Sequence, residues 1–238
     1  MAQPCIAFDL DDTLYLEREY VRSGFEAVGS WAATALGVAD CKERAWRAFE
    51  AGVRGSTFET ILREVGRIPD PLVIEEMVQV YRNHSPVISL PADAVYCLQE
   101  LKSEAVLAII TDGFAGSQQA KCRSLSLAGL VDFIICTGQW GPEYHKPNPR
   151  AFHYLQSQVE PSVSRFVYVA DNPAKDFQAP LELGWDVVRI KRPGGLYASR
   201  EWPTEPAPYI ELPDLWALPG ILKKWFQTGA GSKVSSVA

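Results

Sequence analysis

The spacing of hydrophobic and polar positions follows two different patterns along the chain. Between residues 17 and 84 the apolar positions recur at helical spacing, and glycine or proline separates one segment from the next. This pattern predicts helices over residues 17–36, 41–53, 56–65 and 71–84. A short buried strand is predicted just before this block, at residues 4–9.

After residue 91 the pattern changes, and short apolar runs alternate with helical segments. It predicts helices over residues 92–102, 115–128, 148–159 and 174–184, and strands over residues 106–111, 131–137, 165–171 and 186–190. Strands that alternate with helices form parallel sheets with helices on both faces, so the fold class is α/β. The helical block interrupts that alternation and is therefore interpreted as an inserted all-helical cap.

These two patterns predict the domain organisation. A core domain is expected over residues 1–15 and 88–227, and a helical cap domain over residues 16–87. Residues 193–220 are rich in proline and aromatic residues, and they are predicted to form an irregular strap packed on the core. That part is expected to contain a short strand near Tyr209 and a helix over about 213–226, before a disordered tail at residues 228–238.

Composition excludes several classes of protein. The 238-residue chain has a net charge of −6 and a pI near 5.2, which argues against general nucleic-acid binding. It contains no run of 18 apolar residues, so no membrane partner is expected. The five cysteines are scattered without a CxxC pair, and no secretory signal precedes the first strand. A cytoplasmic location without disulfides is therefore predicted.

Polar residues follow the predicted strands at four places. They are Asp9, Asp11, Asp12 and Thr13 after the first strand, Thr111, Asp112 and Gly113 after the second, Lys146 in the loop after the third, and Asp171, Asn172 and Asp176 after the fourth. Ligands of open α/β sheets bind outside the carboxyl ends of the strands, so these groups should converge. The first cluster is either a solvated turn or a metal site, because neighbouring carboxylates repel one another.

Taken together, these clusters resemble a known family. The ordered motifs DxDDT, TDG, KPNPxxF and DNPxxDF look like those of the haloacid dehalogenase superfamily of phosphohydrolases, from residue 4 to about residue 190. The resemblance implies a Rossmann-like core with a helical cap inserted after the first motif. It also implies hydrolysis of a phosphate monoester through an aspartyl-phosphate.

The resemblance assigns the chemical groups. Asp9 is the expected nucleophile, and Asp11 is the expected general acid and then the base for the attacking water. Close negative neighbours are expected to raise the pKa of Asp11 and so suit it to act as an acid. Thr111, the backbone N–H of Asp112 and Lys146 are expected to bind the phosphate.

By the same resemblance the cofactor is a magnesium ion, Mg²⁺, which prefers oxygen ligands. The implied ligands are the carboxylates of Asp9 and Asp171 and the backbone carbonyl of Asp11. Asn172 and Asp176 are expected to support them, with Asp176 acting through water or by holding Lys146. Alternatively, Asp176 is only a charge at a helix N-terminus.

The reaction and the substrate stay partly open at this point. Dehalogenating members of the family lack the second aspartate, so Asp11 favours phosphate chemistry. A phosphomutase and a non-catalytic phosphate-binding protein are the alternatives. The expected partner is a small phosphorylated metabolite, with sugar phosphates, nucleoside monophosphates and phosphoglycolate-like acids all open, and the oligomeric state is not predicted. Asp12 is expected to make local hydrogen bonds, and His84 and His145 to be surface residues.

Overall fold

The structure is a computed structural model that describes residues 3–159, 161, 163–202, 207 and 209–228. The chain divides into two compact units. One unit comprises Met1–Glu17 and Ser89–Ala238, and the other comprises Arg18–Ile88. Both divisions come slightly later in the chain than the predicted domain boundaries.

A six-stranded sheet forms the centre of the first unit. The strands are β1 (Gln3–Phe8), β2 (Val106–Thr111), β3 (Phe133–Cys136), β4 (Val163–Ala170), β5 (Asp186–Ile190) and β6 (Ile210–Leu212). They lie in the order β3-β2-β1-β4-β5-β6, and each neighbouring pair is parallel. The predicted α/β class is confirmed.

The helices follow the strands along the chain. They are α1 (Glu17–Ala35), α2 (Cys41–Glu50), α3 (Thr57–Glu64), α4 (Pro71–Asn83), α5 (Ala92–Leu101), α6 (Ala115–Ser124), α7 (Arg150–Val159), α8 (Gln178–Glu182) and α9 (Leu218–Thr228). In β1, four successive residues from Cys5 to Phe8 are fully buried. Because successive side chains of a strand point to opposite faces, both faces of the sheet are covered.

The second unit is all-helical and has a core of its own. Apolar positions at helical spacing in α1 bury one face of that helix, as the sequence predicts. The ring of Phe25 lies at its centre and contacts the rings of Phe49, Phe58 and Tyr81. An insert that buries its own aromatic cluster can fold as a separate unit without interrupting the parallel sheet.

Some predicted boundaries are wrong, each for a local reason. The helix predicted over 174–184 begins only at Gln178, because Asn172 accepts a hydrogen bond from the backbone N–H of Ala174 and closes a turn. The helix predicted over 115–128 ends at Ser124, since Ser126 has a left-handed backbone with φ of 54°. The strand predicted over 131–137 is shorter at both ends.

The C-terminal region also differs from its prediction. The helix predicted from residue 213 begins at Leu218, after a turn in which Asp214 accepts a hydrogen bond from the N–H of Trp216. Trp202 and Tyr209 pack against Phe177, in line with the predicted strap. Thr228 belongs to α9, and the rest of the predicted disordered tail, residues 229–238, lies outside the described residues.

Candidate active site

The three central strands bring three of the sequence clusters to one edge of the sheet. β1 lies between β2 and β4, so Asp9, Thr111 and Asp171 come at the carboxyl ends of adjacent strands. The ladder extends one residue past β1, where the N–H of Asp9 donates to the carbonyl of Val169 at 2.8 Å. A cavity of about 380 Å³ opens there, and its lining includes Asp9, Asp11, Thr111, Asp112, Lys146 and Asp171.

Lys146 contributes a buried cation to the lining of this cavity. Its Nζ lies 2.6 Å from Oδ1 of Asp9, 2.8 Å from Oδ1 of Asp176 and 2.8 Å from the hydroxyl of Tyr168. Burial favours the neutral amine, but the carboxylates of Asp176 and Asp9 outweigh it and raise the pKa of Lys146 well above its usual value. The side chain is therefore a buried ammonium shared by two carboxylates.

Three buried carboxylates cluster at this edge of the sheet. Oxygen atoms of Asp9, Asp171 and Asp176 all lie within 4.8 Å of one another. Burial raises the pKa of Asp9 to about 7, although Lys146 opposes the rise. Burial, then the charges of Asp176 and Asp9, raise the pKa of Asp171 well above its usual value.

This donor set fits a hard divalent cation. Oδ2 of Asp171 is buried and has no hydrogen-bond partner among the described residues. A buried carboxylate oxygen without a partner is costly unless a cation binds it. Oxygen-only coordination by clustered carboxylates is the chemistry that Mg²⁺ prefers. The predicted carboxylate ligands Asp9 and Asp171 are thus both available, and Asp176 lies beside them.

Asp11 lies in an environment that the sequence did not predict. Nζ of Lys121 is 2.7 Å from each oxygen of its carboxylate, and the hydroxyl of Tyr15 donates to Oδ1 at 2.5 Å. Burial favours the protonated form, but Lys121, Tyr15 and Gln118 outweigh it and lower the pKa of Asp11. The expectation that negative neighbours raise this pKa is wrong, because the nearest charge is a cation.

The loop after β2 forms another side of the cavity. The hydroxyl of Thr111 donates to Oε1 of Gln118 at 3.2 Å. Asp112 accepts from the backbone N–H of Lys146 at 3.1 Å and from Nζ of Lys175 at 2.8 Å. Burial favours the neutral form of Asp112, but the charges of Lys146 and Lys175 lower its pKa to about 2. The Asp112 side chain therefore links the loop after β2 to the loop that carries Lys146.

Asn172 and Asp176 lie just behind the cavity. The backbone N–H of Asn172 donates to Oδ2 of Asp176 at 3.0 Å, and Asp176 is fully buried. Of the alternatives for Asp176, direct contact with Lys146 is present in the structure. Asp12 accepts a local hydrogen bond from the N–H of Glu17, as predicted, and also a long-range one from the N–H of Leu196, which the sequence did not predict.

Sequence reasoning missed several residues at this edge. Lys121, Tyr15 and Tyr168 contact the predicted groups, as described above. His145 lines the cavity and is half-buried, so its interpretation as an ordinary surface residue is wrong. His84 is also half-buried, against the ring of Tyr20 in the helical unit.

One sequence signal could have pointed to Lys121. Helix α6 has the sequence AGSQQAKCRS, which lacks large apolar residues for packing on a sheet. Its buried residues are instead mostly polar and include Ser117, Gln118 and Lys121. A helix that follows a motif strand and buries polar side chains indicates that those side chains have polar partners.

Residues 4–184 match the sequence profile of the haloacid dehalogenase-like hydrolases. The chain belongs to this family.

Curated relatives of this hydrolase are phosphatases. It is 30% identical over 205 residues to the glyceraldehyde 3-phosphate phosphatase of Methanocaldococcus jannaschii, over 82% of this chain and 87% of the relative. The enzyme of the same name from Methanopyrus kandleri is 26% identical over 205 residues, with 82% and 86% covered. This haloacid dehalogenase-like hydrolase is accordingly a phosphatase.

A solved structure shows the same fold. The 2-haloacid dehalogenase from Pseudomonas syringae pv. tomato superposes with a TM-score of 0.65 at 22% identity, over 94% of this chain and 99% of that one. At this identity the likeness concerns the architecture and not the reaction. Among the residues that the structure describes, no helix has the length and apolar character needed to cross a membrane.

Proposed function

We propose that this haloacid dehalogenase-like hydrolase is a magnesium-dependent phosphatase that cleaves the phosphate monoester of a small metabolite through an aspartyl-phosphate on Asp9. The observation that carries the proposal is the position of Asp9. Its carboxylate lines a polar cavity, contacts the ammonium of Lys146 at 2.6 Å and lies in a cluster with Asp171 and Asp176.

In the first half-reaction a carboxylate oxygen of Asp9 attacks the phosphorus atom of the substrate. The bond from phosphorus to the leaving oxygen breaks, and Asp11 donates the proton that the leaving oxygen needs. Thr111, the N–H of Asp112 and Lys146 supply donors and positive charge to the phosphoryl oxygens. The low pKa of Asp11 means that it must take up a proton before it can serve as the acid.

In the second half-reaction a water molecule attacks the phosphorus atom of the aspartyl-phosphate. The bond between phosphorus and the Asp9 oxygen breaks and restores the carboxylate, while Asp11 accepts the proton of the water. Asp11 is already held as a carboxylate by hydrogen-bond donors, which is the form that this step requires.

Mg²⁺ would be held by the carboxylates of Asp9 and Asp171 and the backbone carbonyl of Asp11, and it would offset the negative charge of the phosphoryl group. Asp176 supports this arrangement through its contact with Lys146. Asn172 supports it by donating its backbone N–H to Asp176. Lys146 then neutralises carboxylate charge that the cation leaves uncompensated.

The substrate that we propose is glyceraldehyde 3-phosphate or a close triose phosphate. Two curated relatives that match over most of their length carry that activity in their names. Glu17 adds a further carboxylate to the lining of the cavity, beside Tyr197 and His145. A polar site with surplus negative charge suits an uncharged hydroxylated leaving group better than an acidic one. The helical unit is inserted in the sequence between the first and second motifs, and its proposed role as a cap rests on that position.

The test is release of inorganic phosphate by the purified protein with Mg²⁺. Glyceraldehyde 3-phosphate, a nucleoside monophosphate, phosphoglycolate and 4-nitrophenyl phosphate are compared at equal concentration. We expect the triose phosphate to give the highest kcat/KM, a chelator to remove the activity, and Asp9→Asn to abolish it. Asp40→Asn is the matched control, because it makes the same chemical change at an exposed aspartate of the helical unit.

Two outcomes would contradict the proposal. Isomerisation of a sugar phosphate without release of phosphate would indicate a phosphomutase. Binding of phosphate esters without turnover of any substrate would indicate a non-catalytic binding protein. Mass spectrometry of acid-quenched enzyme adds a direct measurement, since the proposal expects a labile phosphoryl group on Asp9.

A further inference from the structure

Helix α6 places two polar side chains in the interior of the α/β unit. Gln118 and Lys121 are three residues apart and therefore lie on the same face of the helix. Lys121 is only 3% exposed. A lysine is rarely buried this far unless its ammonium is paired, so its partner indicates why the position is polar.

The partner is the carboxylate of Asp11. Lys121 Nζ contacts both of its oxygens at 2.7 Å. The hydroxyl of Tyr15 donates to Oδ1 at 2.5 Å, and Nε2 of Gln118 donates to Oδ2 at 3.3 Å. The ring of Tyr15 is fully buried, so its hydroxyl is held rigidly against Asp11.

These contacts fix the orientation of the Asp11 side chain. A carboxylate offers about four acceptor positions, and donors from three directions engage both of its oxygens. The side chain nevertheless remains 19% exposed, and Asp11 lines the cavity that Asp9 also lines. The part of the carboxylate that stays accessible therefore faces the place where the phosphoryl group would be.

We propose that Lys121 and Tyr15 are positioning residues that hold Asp11 for the second half-reaction. This inference rests on the proposed function. In that step the water oxygen bonds to phosphorus, the bond from phosphorus to Asp9 breaks, and the water proton passes to Asp11. Lys121 and Tyr15 both donate to Asp11 and fix its carboxylate at the wall of the cavity, so the group that takes the water proton is already in position.

The experiment compares kcat with kcat/KM on 4-nitrophenyl phosphate. Its aryl oxide leaves easily without a proton, so phosphorylation of Asp9 is fast and kcat reports the hydrolysis of the aspartyl-phosphate. Tyr15→Phe removes one hydroxyl and keeps the buried ring. We expect kcat to fall on the order of tenfold, while kcat/KM stays within about threefold. A burst of 4-nitrophenol equal to the enzyme concentration should precede the steady state.

Further variants separate positioning from a general structural effect. Lys121→Met should likewise lower kcat while leaving kcat/KM almost unchanged. Lys121→Arg should keep most of kcat, because it places a cation at the same buried position. Tyr209→Phe is the matched control, since it removes a hydroxyl from another buried tyrosine of the same unit and should leave both constants unchanged. Thermal unfolding identifies any variant that does not fold, and Tyr15→Phe keeps the test decisive if Lys121→Met fails.

The inference is overturned if kcat and kcat/KM fall together in Tyr15→Phe, if only kcat/KM falls, or if neither changes. Asp9→Asn distinguishes this result from failure of the proposed function. If Asp9→Asn is inactive and wild type releases phosphate, the proposed function stands and only the role of Lys121 and Tyr15 is rejected. If Asp9→Asn retains activity, the proposed function itself fails.

Discussion

Replacing Asp9 with asparagine is expected to abolish catalysis and, without metal, to make the protein more stable. Asp9 is buried beside Asp171 and Asp176, and its pKa rises from 3.8 to about 7. Each pH unit of that rise corresponds to about 1.4 kcal/mol, so the ionised carboxylate costs the folded state about 4 kcal/mol. Asparagine has nearly the same shape and does not ionise, so the variant avoids that cost.

The sign of the pH dependence follows from linkage. Between pH 3.8 and about 7 the folded wild type binds more protons at Asp9 than the unfolded chain does, so its stability falls as the pH rises. Between about pH 5.5 and about pH 8, ionisation of Asp9 lowers the free energy of unfolding of wild type by about 2 kcal/mol, a loss that the variant does not have. For a chain of this length, this corresponds to a change of about 4–8 °C in the difference between the two Tm values.

The assay is thermal unfolding of wild type and Asp9→Asn at these two pH values, first with a chelator and then with Mg²⁺. With the chelator, the variant should melt higher, and its advantage should be larger at pH 8. Mg²⁺ should raise the Tm of wild type more than that of the variant, because bound cation stabilises the ionised carboxylate. An Asp9→Asn protein that melts at or below wild type at pH 8 with the chelator would refute the electrostatic reasoning.

Three other changes have expected outcomes. Asp171→Asn should reduce the increase in Tm that Mg²⁺ produces, which a titration with the ion would measure; an unchanged increase would exclude Asp171 as a ligand. Lys146→Met should lower kcat/KM by about 10²–10³-fold, the usual contribution of a fixed charge at a reaction centre, and a loss under threefold in steady-state assays would contradict its role. Arg192→Met should lower the free energy of unfolding by about 3–5 kcal/mol by leaving buried Asp93 unpaired, because Arg192 contacts that carboxylate at 2.9 Å. Denaturant unfolding would measure this loss. If the free energy of unfolding did not change, water would have to solvate the Asp93 carboxylate in place of Arg192.

Local interactions were sufficient to predict most of the α/β unit. Apolar runs of strand length alternate with helical segments, and that alternation alone implies parallel strands. Because the carboxyl ends of parallel strands share one edge, Asp9, Thr111 and Asp171 were expected to meet there, and they line one cavity. Predictions failed at helix starts such as Gln178, where a side chain of the preceding turn accepts backbone hydrogen bonds in place of the helix.

Electrostatic details of the site were beyond sequence reasoning. The contact between Lys121 and Asp11 joins residues that are 110 positions apart, so the polar composition of α6 could indicate a polar partner for Lys121 but not which residue it is. The same holds for Tyr168, which alternation places in the core and which the fold also places against Lys146. A local sequence pattern cannot predict that Lys121 lies next to Asp11 or that Tyr168 lies next to Lys146.

The sequence by itself therefore determined which groups gather at the edge of the sheet, because strand direction and residue order are properties of the chain. The tertiary structure decided the charge state of those groups. The pKa of Asp11 falls and that of Asp9 rises although both are aspartates of one motif. At Asp11 the contacts with Lys121, Tyr15 and Gln118 outweigh burial, whereas at Asp9 burial and the charge of Asp176 outweigh the contact with Lys146. Coulomb interactions and desolvation depend on separation in space, and only the folded chain sets that separation.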